Sequence, residues 1–299
     1  MMKHLRVSAA CAALLLASAG QAQAERAFGL TTQNGILVFD TDNPSTSVGG
    51  GPVTGLAANE TLVAIDYQPL SREVLLLGNQ SNVYRIDDSA SDSLFSVTQV
   101  SGPLDPAFEG ISYGFDFNPA LASGEFARII TDTDDNRVIS GFTGEYLGGP
   151  KTDVFYATGD SNEGVDPNIA GIAYDTNIAA APGTQQYGID ASLGVLTTVA
   201  NNAGTLETVG SLGIVGSITN ELGFDISGAT GTAFAAIQTG PNSQLYTVDL
   251  TSGLATSQGT IGSGDLIRGL TLVPVPEPTL IALVAIAGLG LVARPRVKA

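Results

Sequence analysis

Carboxylates are the main reactive chemistry this sequence offers. Its single His, single Cys and both Met are His4, Cys11, Met1 and Met2, all within the first eleven positions, and Trp is absent. That segment reads as a removable leader, so the remaining chain holds no His, Cys, Met or Trp. This excludes Ser-His-Asp and Cys-His nucleophile systems, His or Cys zinc centres, iron–sulfur clusters, haem ligation and disulfides. Ser112 and Ser217 have no base to activate them, and no residue is assigned a catalytic role.

Three groups of acids stand out. In Asp160-Ser161-Asn162-Glu163-Gly164-Val165-Asp166, the donors Asp160, Asn162 and Asp166 surround a turn glycine, a spacing suited to a hard cation such as Ca²⁺. The distal bidentate Glu of a helix-loop-helix calcium site is missing. Asp132-Thr133-Asp134-Asp135-Asn136 is a second such cluster, with Asp132 and Asp134 as its candidate ligands. Asp and Asn also build turns by bonding nearby N–H groups, which is the competing explanation for both loops. The third group, Asp66, Asp116 and Asp225, recurs two residues after a small residue and so shares a strand face with it. Lining a channel, these three would form a carboxylate ring that binds a cation or holds a catalytic pair. The plainer reading is hydrogen bonding to adjacent loops. Ala173 and Thr271 occupy the equivalent positions elsewhere and would leave the ring incomplete. Arg72, Arg85, Arg128, Arg137 and Arg268, scattered among acids, read as ion-pair partners.

The elements that carry these residues repeat. The small residue in Val63-Ala64-Ile65-Asp66, Tyr113-Gly114-Phe115-Asp116, Ala170-Gly171-Ile172-Ala173, Leu222-Gly223-Phe224-Asp225 and Arg268-Gly269-Leu270-Thr271 steps by 50, 57, 52 and 46 residues. A second set of segments, starting at Gly35, Asn82, Arg137, Gly194 and Gln244, steps by 47, 55, 57 and 50. Two markers with one period indicate a repeat architecture. Within a unit the apolar runs are short and separated by turn residues. The clearest runs are 61–67, 73–77, 82–86 and 95–100, broken by Gln68-Pro69, Gly78-Asn79 and Asp87-Asp88. Four strands per roughly 50 residues predicts an all-β fold, a β-propeller of about five four-stranded blades. A glycine-rich β-sandwich would account for the turns but not for the period.

Closure follows from the ends. Residues 27–31 and 36–39 read as the second and third strands of a blade, whereas 266–273 reads as an orphan first strand. Pairing the orphan with the opening strands completes a blade from both termini and removes exposed edges. The recurrent Gly or Ala is expected because first strands crowd together, where a larger side chain would meet neighbouring backbone.

The termini carry address signals. Lys3 and Arg6, an apolar run from Val7 to Ala19, and Ala22-Gln23-Ala24 have the three zones of a secretory signal peptide, residues 1–24, with an uncleaved anchor as the alternative. At the other end Pro276-Glu277-Pro278 precedes an apolar stretch from Thr279 to Val292 and the cations Arg294, Arg296 and Lys298. Fourteen residues of helix reach about 21 Å, short of a roughly 30 Å bilayer core, so the tail reads as a transient inner-membrane anchor. Five of the 12 bases and one of the 29 acids lie outside residues 25–273, which leaves that body seven bases against 28 acids. A field of that sign repels phosphate backbones and argues against a nucleic-acid partner.

Residues 274–299, with Pro276, Glu277, Pro278, Arg294 and Arg296, resemble the PEP-CTERM sorting tail of Gram-negative bacteria. The resemblance implies processing by an exosortase near Pro276 to Pro278 and delivery to the cell surface or extracellular matrix. An ordinary uncleaved single-pass anchor is the alternative. The body, residues 25–273, resembles the domain-of-unknown-function family 4394 over nearly all of residues 27–273. That resemblance rests on Gly114-Phe115-Asp116-Phe117-Asn118-Pro119, Ala157-Thr158-Gly159-Asp160, Pro167-Asn168-Ile169-Ala170, Tyr187-Gly188-Ile189-Asp190 and Leu245-Tyr246-Thr247-Val248-Asp249. It implies a repeated β fold and no activity. The expectation is a non-enzymatic surface or matrix protein that binds an exopolysaccharide or a surface protein. A carboxylate-based carbohydrate hydrolase and a calcium-stabilised structural module are the alternatives, with Ca²⁺ the sole cofactor candidate.

Overall fold

The computed structural model describes residues 25–87, 93–148 and 152–274. The leader 1–24 and the tail residues Pro276, Glu277, Pro278, Arg294 and Arg296 lie outside the described residues. No helix among the described residues is long and apolar enough to cross a membrane.

The described chain is almost entirely β. It opens with β1 (Arg26–Thr31), β2 (Gly35–Asp40) and β3 (Asn43–Thr54), followed by β4 (Leu62–Gln68), β5 (Glu73–Gly78), β6 (Val83–Ile86) and β7 (Phe95–Ser101). A second unit contains β8 (Tyr113–Phe117), β9 (Phe126–Thr131) and β10 (Asn136–Ser140). A third contains β11 (Phe155–Tyr156), β12 (Ile169–Tyr174), β13 (Gln186–Asp190), β14 (Val195–Val199) and β15 (Thr205–Ser211). The last strands are β16 (Leu222–Ile226), β17 (Ala233–Gln238), β18 (Ser243–Val248), β19 (Ala255–Thr260) and β20 (Ile267–Val273).

Each unit is an antiparallel meander, the topology short apolar runs joined by tight turns produce. Burial falls from first strand to last. Every residue of β4, β8, β12 and β16 is buried, whereas β15 and β19 are largely half-buried or exposed. Continuous apolar sequence is what a strand covered on both faces requires. The first strands β4, β8, β12, β16 and β20 neighbour one another in that order, and β20 returns to β4. Five apolar clusters fill the gaps between consecutive units. Phe28 and Phe95, for example, meet edge to face at 5.9 Å between the unit of β1 to β3 and that of β4 to β7.

The ends close as the sequence implies. β20 pairs antiparallel with β1, Arg26 opposite Val273 and Leu30 opposite Gly269, giving the order β20-β1-β2-β3. A two-residue parallel bridge between β3 and β7 joins that unit to the next as one eight-stranded sheet. Two details correct the expectation of uniform four-stranded units. In the second unit the fourth strand is reduced to a single bridge, Ile139 with Tyr146, and the third unit gains β11 parallel to β15. One turn of 3₁₀ helix, Asn201–Ala203, also lies in the body, where no helix is expected.

Candidate functional site

The first strands bring their recurrent positions together in layers at the centre of the cycle. The small residues form one layer. A Cβ added at Gly114 would meet Ile172 N at 2.9 Å, one at Gly223 would fall on Leu270 N and the Gly269 carbonyl carbon, and one at Gly269 would meet Ile65 Cγ2 at 2.9 Å. Each glycine thus packs on the next first strand, which is why the position stays small. A cavity of about 10 Å³ remains there, lined by Ala64, Gly114, Gly171, Gly223 and Gly269 among others, space for about one water.

One pleat further along the same face lie Asp66, Asp116, Ala173, Asp225 and Thr271. The three carboxylates are 1%, 1% and 0% exposed, and one oxygen of each lies within 4.8 Å of the others. They join neighbouring first strands. Asp66 Oδ2 accepts Phe117 N at 2.8 Å, Asp116 Oδ2 accepts Tyr174 N at 3.0 Å, and Asp225 Oδ2 accepts Leu272 N at 2.6 Å. The acceptor always serves the backbone amide one residue beyond its counterpart on the next strand. The partners are strands and not the adjacent loops the sequence suggests.

Thr271 is the position sequence reasoning undervalued. Its hydroxyl accepts Tyr67 N at 2.9 Å and lies 3.1 Å from Asp66 Oδ1 and 3.2 Å from Asp225 Oδ2. A hydroxyl both accepts and donates, so Thr271 completes the belt where an incomplete ring is expected. The gap falls at Ala173 alone. There Ile226 N finds no side chain from the preceding strand and bonds Asp225 Oδ1 at 2.6 Å. The signal was the Thr at the same offset in the repeat.

Burial raises all three carboxyls. Asp66 is pushed up first by desolvation and then by Asp225, and Asp116 by desolvation and then by Asp66 and Asp225. Asp225 is pushed up to about 7 by desolvation, against the pull of donors from Leu272, Ile226 and Thr271. Three like charges this close in a low dielectric cannot all ionise without compensation. Asp116 Oδ1 has no hydrogen-bond donor.

Asn220 covers the end where the first strands begin, called the leading face here. Its side chain meets Asn168 Nδ2 at 2.9 Å, and its carbonyl accepts the Ser112 hydroxyl at 3.0 Å. Beside it Arg268 pairs with Glu221 at 3.1 Å and donates to Leu62 O. Arg85 pairs with Glu73 and Arg137 with Asp135, as expected of bases among acids. Arg128 does not fit that expectation. It is buried, with its guanidinium on Tyr174 Oη, Asn136 Oδ1 and Asn202 Oδ1.

The two candidate metal loops are divided and recombined. Asp160 accepts Thr208 N at 2.6 Å, Thr208 Oγ1 at 2.8 Å and Asn162 N at 2.8 Å, while Asn162 donates to Thr208 Oγ1. Desolvation opposes ionisation of Asp160, yet these donors hold its carboxyl below the usual range. Asp132 caps the amides of Ile111 and Ser112 through Oδ1. Asp166, from the first loop, instead acts on Asp134 of the second. Burial, then Asp166, Asp153 and Asp132, push Asp134 up to about 6.

The chain belongs to the family described as Domain of unknown function (DUF4394), which matches residues 35–271. No curated protein matches it. Among solved structures it is similar to Myxococcus xanthus glutaminyl cyclase at 10% identity, over 76% of this chain and 97% of that one, with a TM-score of 0.46. A chain of a nidogen/laminin complex aligns at 8% identity over 84% and 99%, TM-score 0.46. A Bacteroides thetaiotaomicron protein of unknown function aligns at 13% identity over 79% and 58%, TM-score 0.45. At these TM-scores the likenesses carry no argument about function.

Proposed function

We propose that the five units are the blades of a β-propeller, and that the protein is an exported, non-enzymatic binding or structural module of the cell surface or extracellular matrix. An exosortase-type enzyme would process it through its PEP-CTERM tail while that tail is held in the inner membrane. The observation that carries this reading is the burial of the recurrent acids. Asp66, Asp116 and Asp225 are sealed among first strands beside a cavity of about 10 Å³, so no sugar reaches them. A carbohydrate hydrolase needs its acid pair, roughly 5 to 10 Å apart, in contact with substrate.

The strand clasp fits tethering. With Arg26 opposite Val273, the chain segments on either side of the body leave from one point of one sheet. Binding falls to the loops. Ile111 and Val215, on the loops that lead into β8 and β16, are 78% and 95% exposed on the leading face. Single exposed aliphatics are ordinary on a protein surface, so it is their place on one face that makes these two the contacts to test.

Retention of the protein on the extracellular polymer of the producing organism tests the reading. I111S and V215S are expected to lower retention several-fold with unchanged Tm. Absence of retention by the wild type redirects the search to a protein partner on that surface.

A further inference from the structure

We propose that the belt of Asp66, Asp116, Asp225 and Thr271 is a buried site for a hard divalent cation of the calcium class, a property beyond the surface role above. The donor set is all oxygen and formally carries three negative charges, which suits Ca²⁺ and excludes soft metals. The four residues come from four separate first strands, so an ion here would tie four units at their common centre.

Two observations separate this site from an ordinary acidic cluster. Asp116 Oδ1 is an unpartnered oxygen on a side chain 1% exposed. Buried carboxylate oxygens are normally satisfied, so one left open beside two further carboxylates marks the place of an absent partner. The second is the lack, among the described residues, of a protein cation to fill that role. The ionic influences on the three carboxyls are other acids: Asp225 on Asp66, Asp66 and Asp225 on Asp116, and Glu25 on Asp225. Arg128 lies opposite Asp116 in the β8–β9 ladder but sends its guanidinium to Tyr174, Asn136 and Asn202. The cavity in the adjoining layer has room for about one water, a source of a further oxygen ligand.

The alternative is that the carboxyls share protons, as closely spaced acids do. Asp116→Asn distinguishes the two. The amide oxygen keeps the bond from Tyr174 N, and the amide nitrogen donates to the neighbouring carboxylates, so the variant relieves repulsion without an ion while losing a ligand. The full chain is unfolded with chelator, refolded with calcium, magnesium or neither, dialysed, and assayed for bound metal and Tm. Wild type is expected to retain a single ion per chain and to melt higher with it. D116N is expected to bind about tenfold more weakly or worse, with a Tm independent of metal. D160N, altered at the loop bonded to Thr208 of β15, is expected to keep the wild-type metal content and metal-dependent rise in Tm, whatever its own Tm. Wild type without bound metal or any Tm response overturns the proposal in favour of shared protons. A metal response that persists in D116N, or vanishes in D160N, overturns it in favour of another location.

Discussion

A carboxylate in this protein acquires its role from the donors around it. Asp160 is satisfied by three donors and stays ionised, whereas Asp134 is crowded by Asp166, Asp153 and Asp132 and rises to about 6. A carboxyl raised on folding binds more protons folded than unfolded, so its contribution is full below about pH 4 and is lost as pH rises through about 6. Asp134→Asn removes the repulsion and suits the backbone, whose φ of 67° is a conformation Asn tolerates. D134N is therefore expected to melt above wild type at pH 7.5 and level with it at pH 3.5. A bound cation at that loop would reverse the sign at pH 7.5, so the pair of melting curves also checks the turn-forming role. At Thr271 the hydroxyl accepts the buried Tyr67 amide at 2.9 Å and links Asp66 to Asp225. Thr271→Val removes these buried bonds and should cost about 1–3 kcal/mol, measured by denaturant unfolding, and Thr271→Ser should recover most of it.

At the level of elements, the closeness of the first strands governs what each position tolerates. A Cβ at Gly223 collides with backbone of β20, a strand held in register by its pairing with β1. Gly223→Ala is expected to lose about 1–3 kcal/mol, a Tm drop of roughly 2–10 °C. Gly183, where an added Cβ meets nothing within 4 Å, serves as the control and should melt as wild type. Differential scanning calorimetry on the two variants compares them directly. The period of about 50 residues and the runs of the second unit's neighbour, residues 61–100, were legible because turn residues separate them. The reduced fourth strand of the second unit was not. Whether Tyr146 joins a ladder or forms one bridge depends on tertiary neighbours and not on its local sequence.

For the whole molecule, the ring of contacts depends on the seven residues of β20. β20 touches β1, β4, β16 and β17 and supplies Thr271, Leu270 and Leu272 to the centre. A chain ending at residue 266 strips β1 of one of its two paired strands and β4 of the neighbour that closes the ring, and is expected to lose its cooperative thermal transition. A chain ending at residue 274 should keep wild-type Tm, and circular dichroism melts of the two truncations check both outcomes.

The short runs of residues 61–100 with their turns, the repeat and the meeting of the two ends follow from the sequence itself. Alternation, turn chemistry and an unpaired first strand are local signals, and they constrain pairing before any fold is assembled. The roles of the recurrent acids were decided only by the tertiary structure. Asp66, Asp116 and Asp225 are about 50 and 109 residues apart in the chain, and nothing local states that their carboxyls meet within 4.8 Å in a space sealed from water. Burial and mutual repulsion are properties of that meeting place. The same holds for Thr271, which completes the belt because a neighbouring strand presents an amide to it. It holds also for Arg128, whose neutral partners come from three different loops and strands.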